Sequence, residues 1–279
     1  MHTTLHQLSS WAFAIALFGF TAGCASTAPA PQASFAVNGG HEDHDNRYLS
    51  TMWVLTTVGN CSGVLIAPRV VLSSAHCFCL PSDFKSKKGT HVYTGASCQS
   101  DATVTRVRYQ YDAKNGWVDE SLSRRGRIVA HPDFRSEVLD GKIKSHLSDL
   151  AVIQLEKAFE DVIPESVAEN EVRRDEHLVL VGLGPSKSGE ADDGVRRFGK
   201  NLVTDVVNTR EAQEFRFRTS GVHILEGDSG GPCFRETSGG RWLVGISGGF
   251  VVAGQDSWFT STFYHREWIE RQKREIPFN

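Results

Sequence analysis

The sequence predicts an all-β fold. Three features carry that expectation: the apolar runs are short, Gly, Pro, Asp and Ser punctuate them, and they fall into two successive series. The first series places strands at Met52–Val58, Ser62–Ile66, Val70–Ser73, Val104–Tyr109, Arg127–Val129 and Leu150–Leu155. Pro68 parts the second from the third, Gly126 and Pro132 bracket the fifth, and Ser148-Asp149 opens the sixth. The second series places strands at Leu178–Val181, Asn201–Val207, Glu214–Phe217, Trp242–Ile246 and Trp258–Phe263. Gly182 and Gly184 close its first member, and Gly239-Gly240 precede its fourth. Tyr264–Glu275 has helical propensity and sets Tyr264, Trp268 and Ile269 on one face, ready to dock. Periodicity alone leaves barrels and sandwiches both open. No internal repeat or long low-complexity segment interrupts the pattern.

Chemistry concentrates in three places. Gly227-Asp228-Ser229-Gly230-Gly231-Pro232 holds a serine in a glycine-rich turn, Ser74-Ala75-His76-Cys77 supplies a histidine, and Asp149 precedes an apolar run. A serine hydroxyl is a weak nucleophile near neutrality and needs a base within hydrogen-bond reach. Histidine can take and return a proton in that range, and an aspartate fixes its tautomer. The backbone N–H groups of Gly227 and Ser229 are the candidate donors to a tetrahedral oxyanion, with glycine permitting their close approach. The order His76, Asp149, Ser229 therefore reads as acyl transfer, with peptide-bond hydrolysis the expected reaction. An esterase built on a nucleophile elbow would run Ser, Asp, His, so the order excludes it.

These segments resemble the trypsin/chymotrypsin family of serine proteases over most of the chain after residue 36. Asn60-Cys61-Ser62-Gly63-Val64-Leu65-Ile66 is similar to that family's cysteine-bearing strand, Val71–Cys77 to its histidine motif, and Asp149–Leu155 to its aspartate motif. Arg127–Phe134, Val181–Gly184, Phe259-Thr260 and Trp268-Ile269 follow in the order the family shows. The resemblance implies two six-stranded antiparallel β-barrels with the site between them and a C-terminal helix. It implies His76 as general base and acid, Asp149 as its orienter and Ser229 as nucleophile. It also implies Gly227 and Ser229 as the oxyanion hole, Ser247 as a support for Asp149, and Asp228 as a structural carboxylate. His223, Ser247, Gly248 and Gly249 become the candidate substrate-binding residues, with Asp256 nearby, and Cys61–Cys77 the disulfide that braces the histidine. The charged stretch Glu156–Glu176 suits the crossing between barrels. A first barrel over about 36–160, a second over about 175–265 and a helix over about 264–275 follow within a peptidase domain of 36–279.

Composition bounds the rest. With 279 residues, 40% hydrophobic, the chain can bury one or two ordinary cores. A net charge of −3 with interspersed signs excludes a basic stripe for nucleic acid. The N-terminal apolar run Trp11–Phe20 is too short to span a bilayer and reads as a signal peptide over residues 1–23. Thr21-Ala22-Gly23-Cys24-Ala25-Ser26 resembles a bacterial lipoprotein signal with Cys24 as the lipidated residue, implying an outer-membrane anchor. Ordinary secretion or periplasmic export is the alternative, and residues 24–35 read as a tether or pro-segment. Six cysteines fit an oxidising compartment. Cys79 and Cys98 are expected to close a local loop, and Cys233 to act as a free buried hydrophobe.

The chain departs from the family pattern at its start. Ala36-Val37-Asn38-Gly39-Gly40 stands where a cut after a basic residue would release a new amine, yet Ser34-Phe35 precede it. Cleavage near Phe35 would free Ala36 to meet Asp228, with an internal Arg or Lys the alternative partner. His223 at the base of the specificity pocket disfavours cutting after Arg or Lys and suits acidic or polar side chains. His41-Glu42-Asp43-His44-Asp45 has metal-capable residues but reads as a solvated segment, and His131 in its His-Pro-Asp turn reads as structural. No metal or cofactor is expected. The expected partner is a protein or peptide substrate, met by a monomer; the runner-up is a silent homologue that binds partners through the same cleft.

Overall fold

Strands form where short apolar runs meet turn-forming residues, and neighbouring runs in sequence pair in space. The computed structural model describes residues 37–57, 59–185, 194–210, 213–251 and 256–275. Its strands run β1 His41–Glu42, β2 Thr51–Thr56, β3 Gly59–Ala67, β4 Val70–Ser73, β5 Thr90–Thr94, β6 Asp101–Asp112, β7 Gly116–Ala130 and β8 Arg135–Leu139. They continue with β9 Lys142–Leu147, β10 Ala151–Leu155, β11 His177–Gly182, β12 Arg197–Asn208, β13 Gln213–Arg218, β14 Pro232–Thr237, β15 Gly240–Val251 and β16 Asp256–Ser261. Two helices, α1 His76–Cys79 and α2 Arg266–Arg274, complete the list of longer elements.

The first barrel closes in the order β10-β4-β3-β2-β6-β7. A second sheet runs β1-β12-β11-β14-β15-β16-β13, and an additional β12–β13 pairing joins six of its strands into a ring. All strand pairs between named neighbours in the first barrel are antiparallel, with Val71 of β4 opposite Leu65 of β3 and Ile153 of β10. The fold is thus all-β with a C-terminal helix, as expected.

Strand β4 shows why its four residues are all buried. Val71 faces the first-barrel core with Met52, Val54, Leu65 and Ile153. Val70 and Leu72 face the other way, into a cluster with Phe234, Leu243 and Ile246 of the second sheet. Successive side chains of a strand point to opposite faces, so a strand sandwiched between two cores must be apolar throughout. Trp268 and Ile269 of α2 join that same seam. The helix therefore packs where the barrels meet, and not on the second barrel alone.

Four features were not legible beforehand. β1 pairs with β12, so the segment before Asp43 belongs to the second sheet and not to a first barrel beginning near residue 36. A separate three-stranded sheet, β5-β8-β9, stands beside the first barrel. Its strands are largely polar, and Asp140 (φ 49°) with Gly141 (φ 74°) form the left-handed turn that joins β8 to β9. The β6–β7 hairpin runs on to Gly116 and leaves Tyr111 and Trp117 exposed. Finally, Asp43 is buried, not solvated. Its carboxylate accepts from the Arg196 guanidinium at 2.7 Å and from the Arg47 and Tyr48 amides. Arg196 is itself fully buried, donating to Val107 O at 2.8 Å beneath the Tyr109 ring. A buried charge is tolerable only when paired and hydrogen-bonded on all sides, and this pair is.

Candidate active site

His76 is the first residue of α1, immediately after β4 delivers the chain from the first-barrel core. Two disulfides hold it there: Cys61–Cys77 ties the helix to β3, and Cys79–Cys98 ties its other end to the following loop. Asp149 lies just before β10, preceded by Ser148 in the left-handed region at φ 46°. The Asp149 carboxylate grips the histidine twice: Oδ1 accepts from the His76 amide at 2.8 Å and Oδ2 from Nδ1–H at 2.7 Å. Because Nδ1 donates, Nε2 is left with its lone pair free to take a proton. Burial pushes the Asp149 carboxyl up, but the neighbouring His76 and His146 and the two bonds from His76 outweigh it, so its net shift is down.

Ser229 sits in a loop whose backbone is almost fully committed. Gly227 (φ 99°) and Gly230 (φ 81°) adopt conformations that L side chains rarely reach. A Cβ at Gly230 would lie 2.1 Å from Ser73 Oγ and 2.2 Å from Ser62 O, so the close approach of β3 and β4 also demands glycine. The Ser62 amide donates to Ser229 O at 2.7 Å, and the Gly230 amide to Ser247 O at 2.8 Å, pinning the loop to both sheets. Asp228 is buried, its Oδ1 accepting from the Gly184 amide and its Oδ2 from the Leu225 amide, each at 2.8 Å. The Asp228, Gly230 and Gly231 amides are spent inside the loop and on β15. Those of Gly227 and Ser229 take no hydrogen-bond partner among the described residues.

One cavity of about 600 Å3 is lined by His76, Gly227 and Ser229 together with Gly248, Gly249 and Trp258. A Cβ on Gly248 or Gly249 would approach the Trp258 indole to 2.6 or 2.8 Å, so the bare backbone at this wall is what makes room for the ring. Lys85 and Glu226, an ion pair, stand on the same cavity. His223 is placed elsewhere: its Nδ1–H donates to Gly221 O at 2.9 Å and its Nε2 accepts from the Asn38 amide group at 3.1 Å. The loop path turns that ring toward the N-terminal segment and away from the cavity lining. Ser247 gives its backbone to Gly230, Gly231 and Ser74, while its buried hydroxyl has no hydrogen-bond partner among the described residues, Asp149 included. Asp256 opens β16, opposite Arg218 of β13. The expected cut near Phe35, the freed Ala36 and the lipid site at Cys24 all lie outside the described residues. Val37, where description begins, is already fully buried, and Asn38 bridges to His223.

His146 escaped the sequence reading. It comes from β9, and its ring stacks against His76 with centroids 5.2 Å apart and planes at 28°. Burial pushes its imidazole down to about 4, with Asp149 opposing and His76 adding to the shift. Nothing in the local sequence Lys-Ser-His-Leu signals this, because the placement depends on the three-stranded sheet. His131, by contrast, is structural as expected, packing on Trp268 and His265. Cys233 is buried and unbonded, and burial pushes its thiol up.

The family model described as Trypsin matches residues 37–269. Phenoloxidase-activating enzyme 1 of Spodoptera litura is 24% identical over 241 residues, covering 77% of this chain and 59% of that protein. Melanization protease 1 of Drosophila melanogaster is 28% identical over 245 residues, covering 77% of this chain and 58% of that one. The chain thus spans about six-tenths of the length of these curated relatives. Both are insect proteins and lend nothing to the bacterial lipoprotein expectation. Among solved structures, HL collagenase superposes with a TM-score of 0.61 at 18% identity, over 86% of this chain and 100% of its own. A Glu endopeptidase does so at 0.59 and 17%, over 87% of this chain and 100% of its own. At that identity the likeness speaks for the fold.

Proposed function

Since the chain belongs to the trypsin family of serine proteases, we propose that it is an active serine endopeptidase using His76, Asp149 and Ser229. One observation carries the reading: Asp149 fixes His76 through Nδ1, and the remaining face of His76 shares a cavity with Ser229 and two uncommitted amides. In the first half-reaction His76 Nε2 takes the Ser229 hydroxyl proton as Oγ bonds to the scissile carbonyl carbon. The oxygen gathers negative charge and is met by the Gly227 and Ser229 N–H groups, preorganised because their neighbours are hydrogen-bonded in place. The imidazolium then passes its proton to the departing amine, the C–N bond breaks, and an acyl-enzyme ester remains. Water repeats the sequence, giving its proton to His76 and its oxygen to the acyl carbon, and Ser229 recovers its proton. Asp149 stays ionised throughout, which fits the downward direction of its shift.

Export of the protein is part of the proposal, supported by its two disulfides, which persist in oxidising compartments. With His223 bound to Asn38 and Gly221, the cavity side chains open to a bound peptide beyond the reacting groups include Leu80, Phe84, Ile143, Trp258 and the Lys85–Glu226 pair. The test is hydrolysis of a panel of peptide p-nitrophenyl esters by the processed protein. A rapid burst of about one nitrophenolate per chain, abolished in Ser229→Ala, is expected. Steady ester cleavage unchanged in Ser229→Ala contradicts the assignment, and no cleavage by correctly processed protein favours a silent binding homologue.

A further inference from the structure

We propose that His76, His146 and Asp149 form a binding site for a divalent transition-metal ion such as Zn2+, and that metal in this site switches the active centre off. The inference rests on the assignment of His76 as the base. One ligand atom from each of the three residues lies within 4.8 Å of the other two. His146 Nδ1 is 3.9 Å from the same Asp149 Oδ2 that receives the His76 proton at 2.7 Å. The His146 side chain is only 4% exposed, and neither of its ring nitrogens has a hydrogen-bond partner among the described residues. Buried polar groups are nearly always paired, so an unpartnered imidazole facing another imidazole and a carboxylate is disposed to share a cation with them.

The donor set fits the ion. Two imidazoles and one carboxylate, with a fourth position open, suit four-coordinate zinc, and nitrogen ligands rank Cu2+ above it. Metal–nitrogen distances of about 2.1 Å place tetrahedral ligand atoms roughly 3.4 Å apart. The His76–Asp149 contact of 2.7 Å must therefore open slightly, and the 3.9 Å contact to His146 close slightly. The His76 and His146 rings, stacked with centroids 5.2 Å apart, must also tilt so that their ring nitrogens converge on the ion.

Inhibition follows from proton bookkeeping. In the resting site His76 carries its proton on Nδ1. A metal ion that takes the Nδ1 lone pair moves that proton to Nε2, and no electrons change hands. Nε2–H cannot accept the Ser229 proton, so the nucleophile is never activated, although Ser229 itself is untouched. Ion entry proceeds from the cavity past His76, whose side chain is 12% exposed.

The experiment uses the processed full-length protein stripped of metal by a chelator. Zn2+ is titrated by calorimetry, Co2+ by its visible absorption, and ester hydrolysis is followed in parallel with Zn2+. Expected are one Zn2+ per chain, an intense tetrahedral Co2+ spectrum in both wild type and Ser229→Ala, and reversible loss of hydrolysis restored by chelator. His146→Leu should weaken binding and raise the inhibitory Zn2+ concentration at least ~10-fold; should that variant not fold, His146→Gln reads the same loss. Active enzyme that neither binds nor responds to millimolar Zn2+ overturns the proposal, as does inhibition that persists undiminished in the folded His146 variants. Metal binding that depends on His146 in a protein without hydrolytic activity upholds the site and overturns the enzymatic reading instead.

Discussion

At Gly230 a single absent methyl group decides whether the serine loop can exist. A side chain there meets Ser73 Oγ and Ser62 O at little more than 2 Å and must also occupy φ 81°. Gly230→Ala is expected to cost more than ~2 kcal/mol, from backbone strain plus overpacking. Thermal unfolding checks the cost, and hydrolysis should fall with it because the same backbone aims Ser229 and its amide. Asp149 gives a cleaner separation of chemistry from folding. Asp149→Asn keeps the shape but removes the charge and reverses the tautomer His76 prefers, so kcat should drop by roughly three to four orders of magnitude. KM for the same ester should move far less, which steady-state kinetics will show. These residues could be read in the sequence because each lies in a short motif whose chemistry is local. His146 and the direction of the His223 ring could not, because both depend on the path of a loop or hairpin that no neighbouring residue specifies.

Among the elements, α1 is too short to hold itself together; a helix of four residues is far below the length that survives in water. Its position is maintained by the Asp149 grip on its first residue and by two disulfides. Replacing Cys61 and Cys77 together by Ala opens a crosslink across a sequence separation of 16 residues and should cost about 3 kcal/mol on the chain-entropy account. Denaturant unfolding of the double variant, set beside its residual ester hydrolysis, measures whether the crosslink supports the site more than the fold. Strands such as β4 and β11 were legible because both of their faces meet apolar cores. β5, β8 and β9 were not: among their residues only Tyr93, Ser136, Val138 and the His146 side chain are buried, and they owe their order to pairing and to the Asp140-Gly141 turn. The same turn carries Gly141 against Lys85 O, bringing this small sheet to the edge of the cavity.

For the whole molecule, the seam between barrels makes stability depend on pH. His265 packs on His131, which in turn packs on Trp268 beside that seam, and His146 lies buried next to His76. Burial pushes His265 and His146 down to about 4, His131's own charge adding to the shift at His265, and it lowers His131 as well. In the unfolded chain these groups return to 6.5, so between 6.5 and about 4 the unfolded state binds more protons. Stability is therefore full above 6.5 and falls as pH drops through that window. The loss should be on the order of 2 kcal/mol for each of His265 and His146 by about pH 5. Asp149 works in the opposite sense, holding its contribution until pH falls below the ordinary carboxylate range. Melting temperatures across this window check the sum, and His265→Gln should flatten part of the slope.

Hydrolysis by this chain requires that His76 make Ser229 nucleophilic. The most direct measurement of this is intact-mass and peptide mapping after treatment of the processed protein with a fluorophosphonate. One adduct per chain on Ser229, absent in His76→Ala and in heat-unfolded protein, is the predicted result. An unmodified Ser229 in folded, processed protein, or an adduct that forms equally well without His76, contradicts it.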